Sequence, residues 1–441
     1  MANWDNWADT VVYKNLEKVY EPKSLNELVG CVTEAAAKRW KLRAVGQGHA
    51  WSNLGLPSRC NGAVIDMRGL DKPLRIDKQA GVVEVEGGMS IEDLNNWLFD
   101  NGLALRNMGD ANPQTIAGAL STETHGSGVN LGSLSEMVEG MTIVRADGQR
   151  EVLQGDDLKA GRVSLGKLGA VYSVTLSVRD RFYLHHKQTL VTFADEQAVL
   201  ADLLKTPHLE YWYYPYTNGM AERITREELP QPAVHNPLDI FEEWFIKATS
   251  DVIETMGIHH PERLPALFKD SVQNGKPGFR DFERKGPSHK ILLGKSNVWR
   301  KVVKTFTMEY QFPLENLWAG VQALEESIAL AAQKCVYVAA PIQFRFTKKS
   351  DRSFLTHLLH QPTVSFSVSF FRKHQGAHTW LPDLERRFIA LEGKPHRGKM
   401  YYTKQELDPR FEAVRQRLDP TGVFAFEQAL YTPDAEAFQA P

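Results

Sequence analysis

The chain has 441 residues, 42% of them hydrophobic and 24% charged, which is the balance of an ordinary soluble protein with ample apolar side chains for a core. That length makes two domains the expectation, and a net charge of −2 without a long basic run argues against a dedicated nucleic-acid binder. Cys31, Cys60 and Cys335 lie too far apart for a disulfide framework or a zinc site, as suits a reducing, cytoplasmic setting.

Residues Met1 to Trp7 lack a basic and then apolar signal region. Ser24, with Glu27 three residues on, is expected to cap a helix carrying Leu28, Val32 and Ala36 on one face. Leu42 to Val45 reads as a short buried strand. It delivers the chain into Gly46-Gln47-Gly48-His49-Ala50-Trp51-Ser52. Glycine lets a backbone lie close against a ligand, and successive N–H groups in such a turn form an anion cradle. Trp51 occupies the third glycine position of a Rossmann fingerprint, so that reading fails. A turn without a ligand fits the loop equally well.

Ala63 to Met67 is a further strand. Leu74 to Asp77 and Val82 to Glu86 alternate around a turn at Lys78 to Gly81 and predict a hairpin ending at Gly87-Gly88. Ser90 opens a second helix, which stops at Asn101-Gly102. Residues 105–128 are rich in glycine and hydroxyl side chains. They read either as a surface linker or as backbone packed against a large ligand. Met141 to Ala146 and Glu151 to Leu153 predict another hairpin around Asp147-Gly148, and Val171 to Arg179 a strand. The absence of a clean βαβ rhythm makes this region α+β.

From Arg181 the character changes. Aromatic residues cluster at Tyr211 to Tyr216, and residues 228–297 carry many prolines and charges, with helix-like pieces over Asp239 to Met256. Phe306 to Phe312, Val336 to Phe346 and Val364 to Phe371 are strand-like. The most apolar window, Ile328 to Ile342, is broken by Gln333 and Lys334, so it predicts a helix end and a buried strand, with no membrane span. A helix at Asp408 to Leu418 precedes a turn at Asp419 to Gly422.

The ordered set Gly46-Gln47-Gly48-His49, Gly87-Gly88, Asn107-Met108-Gly109, Thr115-Ile116-Ala117-Gly118, Thr124-His125-Gly126-Ser127-Gly128, Leu165-Gly166-Lys167-Leu168-Gly169, Met308-Glu309-Tyr310, His396-Arg397-Gly398-Lys399 and Asp419-Pro420-Thr421-Gly422 resembles the vanillyl-alcohol-oxidase-like flavoproteins. It is most similar to their sugar-lactone and alditol oxidase branch. The resemblance implies a two-domain α+β flavoprotein: an FAD-binding domain over residues 1–181, a mixed-sheet cap over 182–393, and a segment 394–441 returning to the first domain. It places FAD against Val45, Gly46, Gln47, Gly48, Ala50, Asp110, Thr115, Gly118, Ala119, Ser121, Thr122, His125, Gly126, Val171 and Lys399, with covalent attachment through His49. For His125 a structural role is the stronger reading.

The implied chemistry moves a hydride from a substrate CH–OH group to flavin N5, with O2 as the expected acceptor and a polyol, aldonolactone or sugar-like molecule as substrate. Lys399 stands where a cation offsets the reduced flavin. Arg345 would orient the substrate oxygen, and Glu309 is a candidate base or orienting acceptor. Alternation along Thr307 to Gln311 equally allows Glu309 a solvated face. Gln343 stands where the sugar-oxidising members usually carry glutamate, Ser367 or a neighbour where they carry histidine, Asp110 where an alditol oxidase has a small hydroxylated residue, and Arg397 where tryptophan is usual. These departures gather at the substrate side. A dehydrogenase using another acceptor, with Ala117 or Ala119 restricting oxygen, and a flavin-binding protein without catalysis are the competing readings. No metal is expected, and the sequence sets no oligomeric state.

Overall fold

The computed structural model describes residues 2–55, 62–234, 252–275, 281–294, 297, 304–358, 360–371, 376–426 and 438–439. Cys60 and the 239–251 part of the expected helical stretch fall outside them, while residues 252–259 are helical.

A parallel three-stranded sheet places Gly62–Asp66 between Lys18–Tyr20 and Lys41–Val45. The helix Leu25–Ala37 connects its first two strands in chain order, and it starts as the capping chemistry requires. Ser24 Oγ accepts the Glu27 N–H at 3.3 Å, and Glu27 accepts the Lys23 N–H at 2.9 Å. Its buried stripe is Leu28, Val32 and Ala35, so the expected Ala36 is only half-buried. Spacing of four and then three residues keeps the stripe facing the sheet, which a second step of four does not.

A five-stranded antiparallel sheet follows, in the order Arg150–Leu153, Val138–Val144, Ala170–Ser177, Val82–Glu86, Pro73–Asp77. Both expected hairpins form. Asp77 pairs with Val82 and Glu151 with Ile143, and Gly81 and Gly148 carry the positive φ of each turn. Gly88 closes the first hairpin under severe crowding: a Cβ there would lie 1.8 Å from the Met67 carbonyl oxygen.

The largest sheet has eight antiparallel strands, in the order Phe282–Pro287, Tyr183–Thr192, Met220–Leu229, His208–Tyr213, Ile342–Thr347, Thr363–Phe371, Thr305–Pro313, Lys394–Pro395. Its central strands obey a strict period of two. Phe306, Met308, Tyr310, Phe312, Phe344, Phe346, Phe366 and Phe370 point to one side, where helices Leu317–Gln333 and Ala377–Ala390 complete an apolar core. Thr305, Thr307, Glu309, Gln343, Arg345, Ser367 and Ser369 alternate with them and point to the other side. The expected strand from Val336 begins only at Ile342. Val336 and Val338 bury their side chains in the core from an unpaired connection, and an apolar run by itself does not separate these outcomes.

The chain end returns to the N-terminal sheets. Asp419 accepts the N–H groups of Val423 and Phe424 at 2.8 Å each, and the Val423 carbonyl accepts from Leu42 N. No described helix is long and apolar enough to cross a membrane. Because Gly88 sits against backbone that cannot yield, Gly88→Ala should cost at least about 1–3 kcal/mol. Urea unfolding checks this, and an unchanged midpoint contradicts the packing described.

Candidate active site

A cleft runs between the N-terminal sheets and the polar side of the eight-stranded sheet. The strand Lys41–Val45 feeds the glycine loop into its wall. Gly48 has φ +65°, and among the described residues no acceptor is seen for the N–H groups of Gly46, Gln47 or Gly48. A Cβ on Gly46 would lie 2.2 Å from Thr115 Oγ1, so only glycine lets this loop meet the 115–122 segment. The N-terminal ribbon straps the loop from outside. Trp7 N donates to Gly48 O at 2.9 Å and Asn6 Nδ2 to Ala50 O at 2.9 Å. The Trp7 ring stacks on His49, with centroids 5.1 Å apart and planes inclined by 16°.

Arg43 also lines the cleft. It donates to the carbonyls of Leu54, Gly166, Phe424 and Leu165, and among the described residues no carboxylate partners it. Burial pulls its guanidinium down to about 9. The guanidinium also lies 4.0 Å from the centroid of the Phe426 ring, and an enclosed cation met by carbonyl dipoles and an aromatic face, with no counter-charge among the described residues, suits an anion.

On the polar sheet face, Glu309 is fully buried. Its Oε1 accepts from His125 Nε2 at 2.6 Å and Gln311 Nε2 at 2.8 Å. Its Oε2 accepts from Arg345 Nη2 at 2.6 Å, from Lys399 Nζ and from Ser367 Oγ. Burial alone would raise this carboxyl, but the Arg345 guanidinium and Lys399 ammonium outweigh it and hold it well below the usual carboxylate range. Arg345 Nη1 donates to His125 O at 2.8 Å, which ties the sheet to the 125–126 backbone. Gln343 donates to Asp110 Oδ2 at 2.7 Å and Glu210 Oε2 at 3.1 Å.

Of the residues singled out in the sequence, Val45, Gly46, Gln47, Gly48, His49, Ala50, Asp110, Thr115, Gly118, Ala119, Ser121, Thr122, His125, Val171, Gln343, Arg345 and Lys399 all line this one cleft. Gly126, Glu309 and Arg397 do not, and Arg397, expected at the substrate side, donates instead to Glu406 O at 3.1 Å. Gly126 packs behind the wall, where a Cβ would meet Met108 O at 2.3 Å, and Glu309 lies beneath the floor. The solvated face considered for Glu309 is corrected: the alternation is as expected, but that face is covered by the N-terminal segments. Arg43, Trp7, Trp212 and the hydroxyls of Thr305, Thr307 and Ser369 also line the cleft and were not singled out. A charge inside the apolar strand Leu42 to Val45 was the available signal for Arg43.

Three buried histidines meet at the wall, His125 and His396 lining the cleft and His357 behind them. His357 and His396 have ring centroids 4.6 Å apart, and His125 lies 5.7 Å from His357. Glu123 closes the group, accepting from Thr356 Oγ1 and His357 N at 2.7 Å each.

Residues 17–154 match the family described as an FAD binding domain, and residues 174–430 match D-arabinono-1,4-lactone oxidase. L-gulono-1,4-lactone dehydrogenase of Mycobacterium tuberculosis (strain ATCC 25618 / H37Rv) is 31% identical, over 96% of this chain and 96% of its own. L-gulonolactone oxidase of Mus musculus is 25% identical over 96% of each. Alditol oxidase of a Streptomyces species is 26% identical, over 95% of this chain and 96% of its own. A crystal structure of cholesterol oxidase from B. sterolicum shares the fold, with a TM-score of 0.79 at 16% identity, covering 96% of this chain and 95% of that one.

Two outcomes follow from the buried charges. Glu309→Gln leaves Arg345 and Lys399 without their shared counter-charge and should cost about 3–5 kcal/mol. Adding Lys399→Met should recover part of that loss, and urea unfolding of the four proteins of the cycle measures it. For Glu123, burial pushes the carboxyl up to about 8. The folded chain therefore binds a proton that the unfolded chain releases near pH 4–5, so this contribution is complete below that pH and lost as pH rises through about 8. Glu123→Gln should remove this decline, on the order of a few kcal/mol, in denaturation curves taken from pH 5 to 9. Identical slopes for both proteins would contradict the assignment.

Proposed function

The chain belongs to the D-arabinono-1,4-lactone oxidase family of FAD-dependent oxidoreductases, and from that premise we propose that it oxidises a CH–OH group of a polyhydroxylated small molecule in this cleft. The observation that carries the proposal is the floor. Thr307, Ser367, Ser369, Gln343 and Arg345 present hydroxyl, amide and guanidinium groups from adjacent strands beside Lys399. Such a surface suits a substrate that is mostly hydroxyl groups, with an aldonolactone or alditol as the best match.

The residues fit FAD on two counts. The open N–H groups at Gly46, Gln47 and Gly48 and the uncompensated Arg43 suit a diphosphate. The cleft continues past Thr115, Gly118 and Val171 to His49, which is room for an extended dinucleotide. When bound, FAD supplies the two-electron acceptor for the substrate hydride. The chain's own groups do the rest. His49 anchors the flavin covalently, and the Trp7 ring holds its imidazole in one plane. Lys399, fixed by Glu309 and lying 3.3 Å from Ser367 Oγ, offers a positive charge at the floor. Arg345 binds the substrate oxygen; its Nε has no partner among the described residues. Glu309, held ionised chiefly by the Arg345 and Lys399 charges, acts as orienting acceptor rather than base.

In this reading residues 1–181 and 394–441 form the FAD-binding unit and 182–393 the cap, although Lys394–Pro395 still pairs with the cap sheet. The reaction takes place in the cytoplasm, with O2 as electron acceptor. The relative from M. tuberculosis is named a dehydrogenase and that from mouse an oxidase, so the acceptor is the second arm of the test.

The purified protein should be yellow and stay yellow after acid precipitation. His49→Ala should bind FAD and release it into acid, and acid-stable flavin in that variant would remove His49 as the anchor. With L-gulono-1,4-lactone, D-arabinono-1,4-lactone, xylitol or sorbitol in air, peroxide should accumulate. Turnover seen only with an artificial dye would make the protein a dehydrogenase.

A further inference from the structure

Oxidising a CH–OH group requires a place for the hydroxyl proton as well as for the hydride. The carboxylate beneath the floor is committed: Glu309 accepts five hydrogen bonds and has no exposed surface. The cleft histidines are occupied as well. His49 is assigned to the flavin. His125 points Nε2 at Glu309 and Nδ1 at Gly126 O. His396 Nδ1 accepts from Gly398 N at 3.2 Å, so the proton of its neutral ring sits on Nε2, which leaves that edge a donor.

Asp110 is the one carboxylate among the described residues lining the cleft. Its Oδ2 accepts from Gln343 Nε2 at 2.7 Å and lies 3.9 Å from Arg345 Nη1. Among the described residues no donor reaches Oδ1. Its backbone is fixed too, since Gly294 N donates to Asp110 O at 3.0 Å. Gln343 spends its other N–H on Glu210 Oε2, and Glu210 Oε1 is held by Arg226 at 2.8 Å. The amide of Gln343 is therefore clamped between two carboxylates, and it holds Asp110 with Oδ2 beside Arg345 and Oδ1 on the side of Gly294.

Resting on the function proposed above, we propose that Asp110 is the proton acceptor of the reaction, with Gln343 as its positioning residue. The substrate O–H bond breaks and its proton goes to the Asp110 carboxylate. The C–H bond on the same carbon breaks with its electron pair, and hydride goes to FAD, the oxidant. A C=O bond forms, so one proton and one hydride account for the two hydrogens lost. Arg345, beside Asp110 Oδ2, steadies the oxygen while its negative charge develops.

The experiment is anaerobic reduction of the FAD-loaded protein by L-gulono-1,4-lactone, D-arabinono-1,4-lactone, xylitol or sorbitol, followed by loss of flavin colour. Asp110→Asn keeps the shape and an acceptor oxygen but takes up no proton. Its limiting reduction rate should fall about 10²–10⁴-fold with little change in half-saturation. The pH profile of the limiting rate should differ between wild type and Asp110→Asn. Added formate should restore part of the rate of Asp110→Ala, which a structural role does not permit. Rates within a few-fold of wild type, an unchanged pH profile, or a loss confined to half-saturation would overturn the proposal. So would loss of FAD from every Asp110 variant, which would make the residue part of the cofactor site. If wild-type flavin is reduced by none of these compounds, the proposed function fails and the role of Asp110 with it.

Discussion

A single buried carboxylate organises the floor of this cleft. Glu309 carries a charge where water cannot reach it, and such a charge persists only when donors surround it. Arg345, Lys399, His125, Ser367 and Gln311 supply them. They come from separate stretches of chain: two neighbouring strands, Glu309's own strand, the 125–126 turn and the 396–399 segment. Solvating one carboxylate thereby fixes the place of Arg345 and Lys399, the two cations at the floor. The same carboxylate cancels one of their charges, which keeps a site for neutral polyhydroxylated molecules from becoming a general anion trap.

The eight-stranded sheet makes this arrangement possible. Its alternation sends aromatic side chains into a core on one side and polar side chains toward the N-terminal sheets on the other, with both sides covered. Burying so many polar groups is tolerated because they satisfy one another, as Thr307 and Ser369 do at 2.8 Å. The flavin side is built differently, from backbone. There the close approach of Gly46 to Thr115 brings two loops into one wall, and Arg43 adds a cation held by carbonyl oxygens.

Much of this was legible in the sequence where the signal is local. Ser24 with Glu27, the two hairpins and the alternation through Thr305 to Pro313 follow from capping and pleat chemistry, which act over a few residues. Seventeen of the residues singled out converge on one cleft because the ordered motifs marked a family, and a family carries a fold. Long-range facts were hidden. The sequence shows that Glu309 shares a face with Thr307 but not what covers that face. The run from Val336 is apolar whether it pairs as a strand or packs as a loop. Trp7 lies 42 residues before His49, and nothing local announces that their rings stack.

The account comes down to whether this cleft, with bound FAD, removes hydride from a sugar-like CH–OH group. The visible spectrum of the purified protein, recorded under nitrogen before and after addition of an aldonolactone or alditol, tests that most directly. The account predicts flavin bands that bleach on addition and return when air is admitted. A protein that shows no flavin and takes up none from added FAD would contradict it.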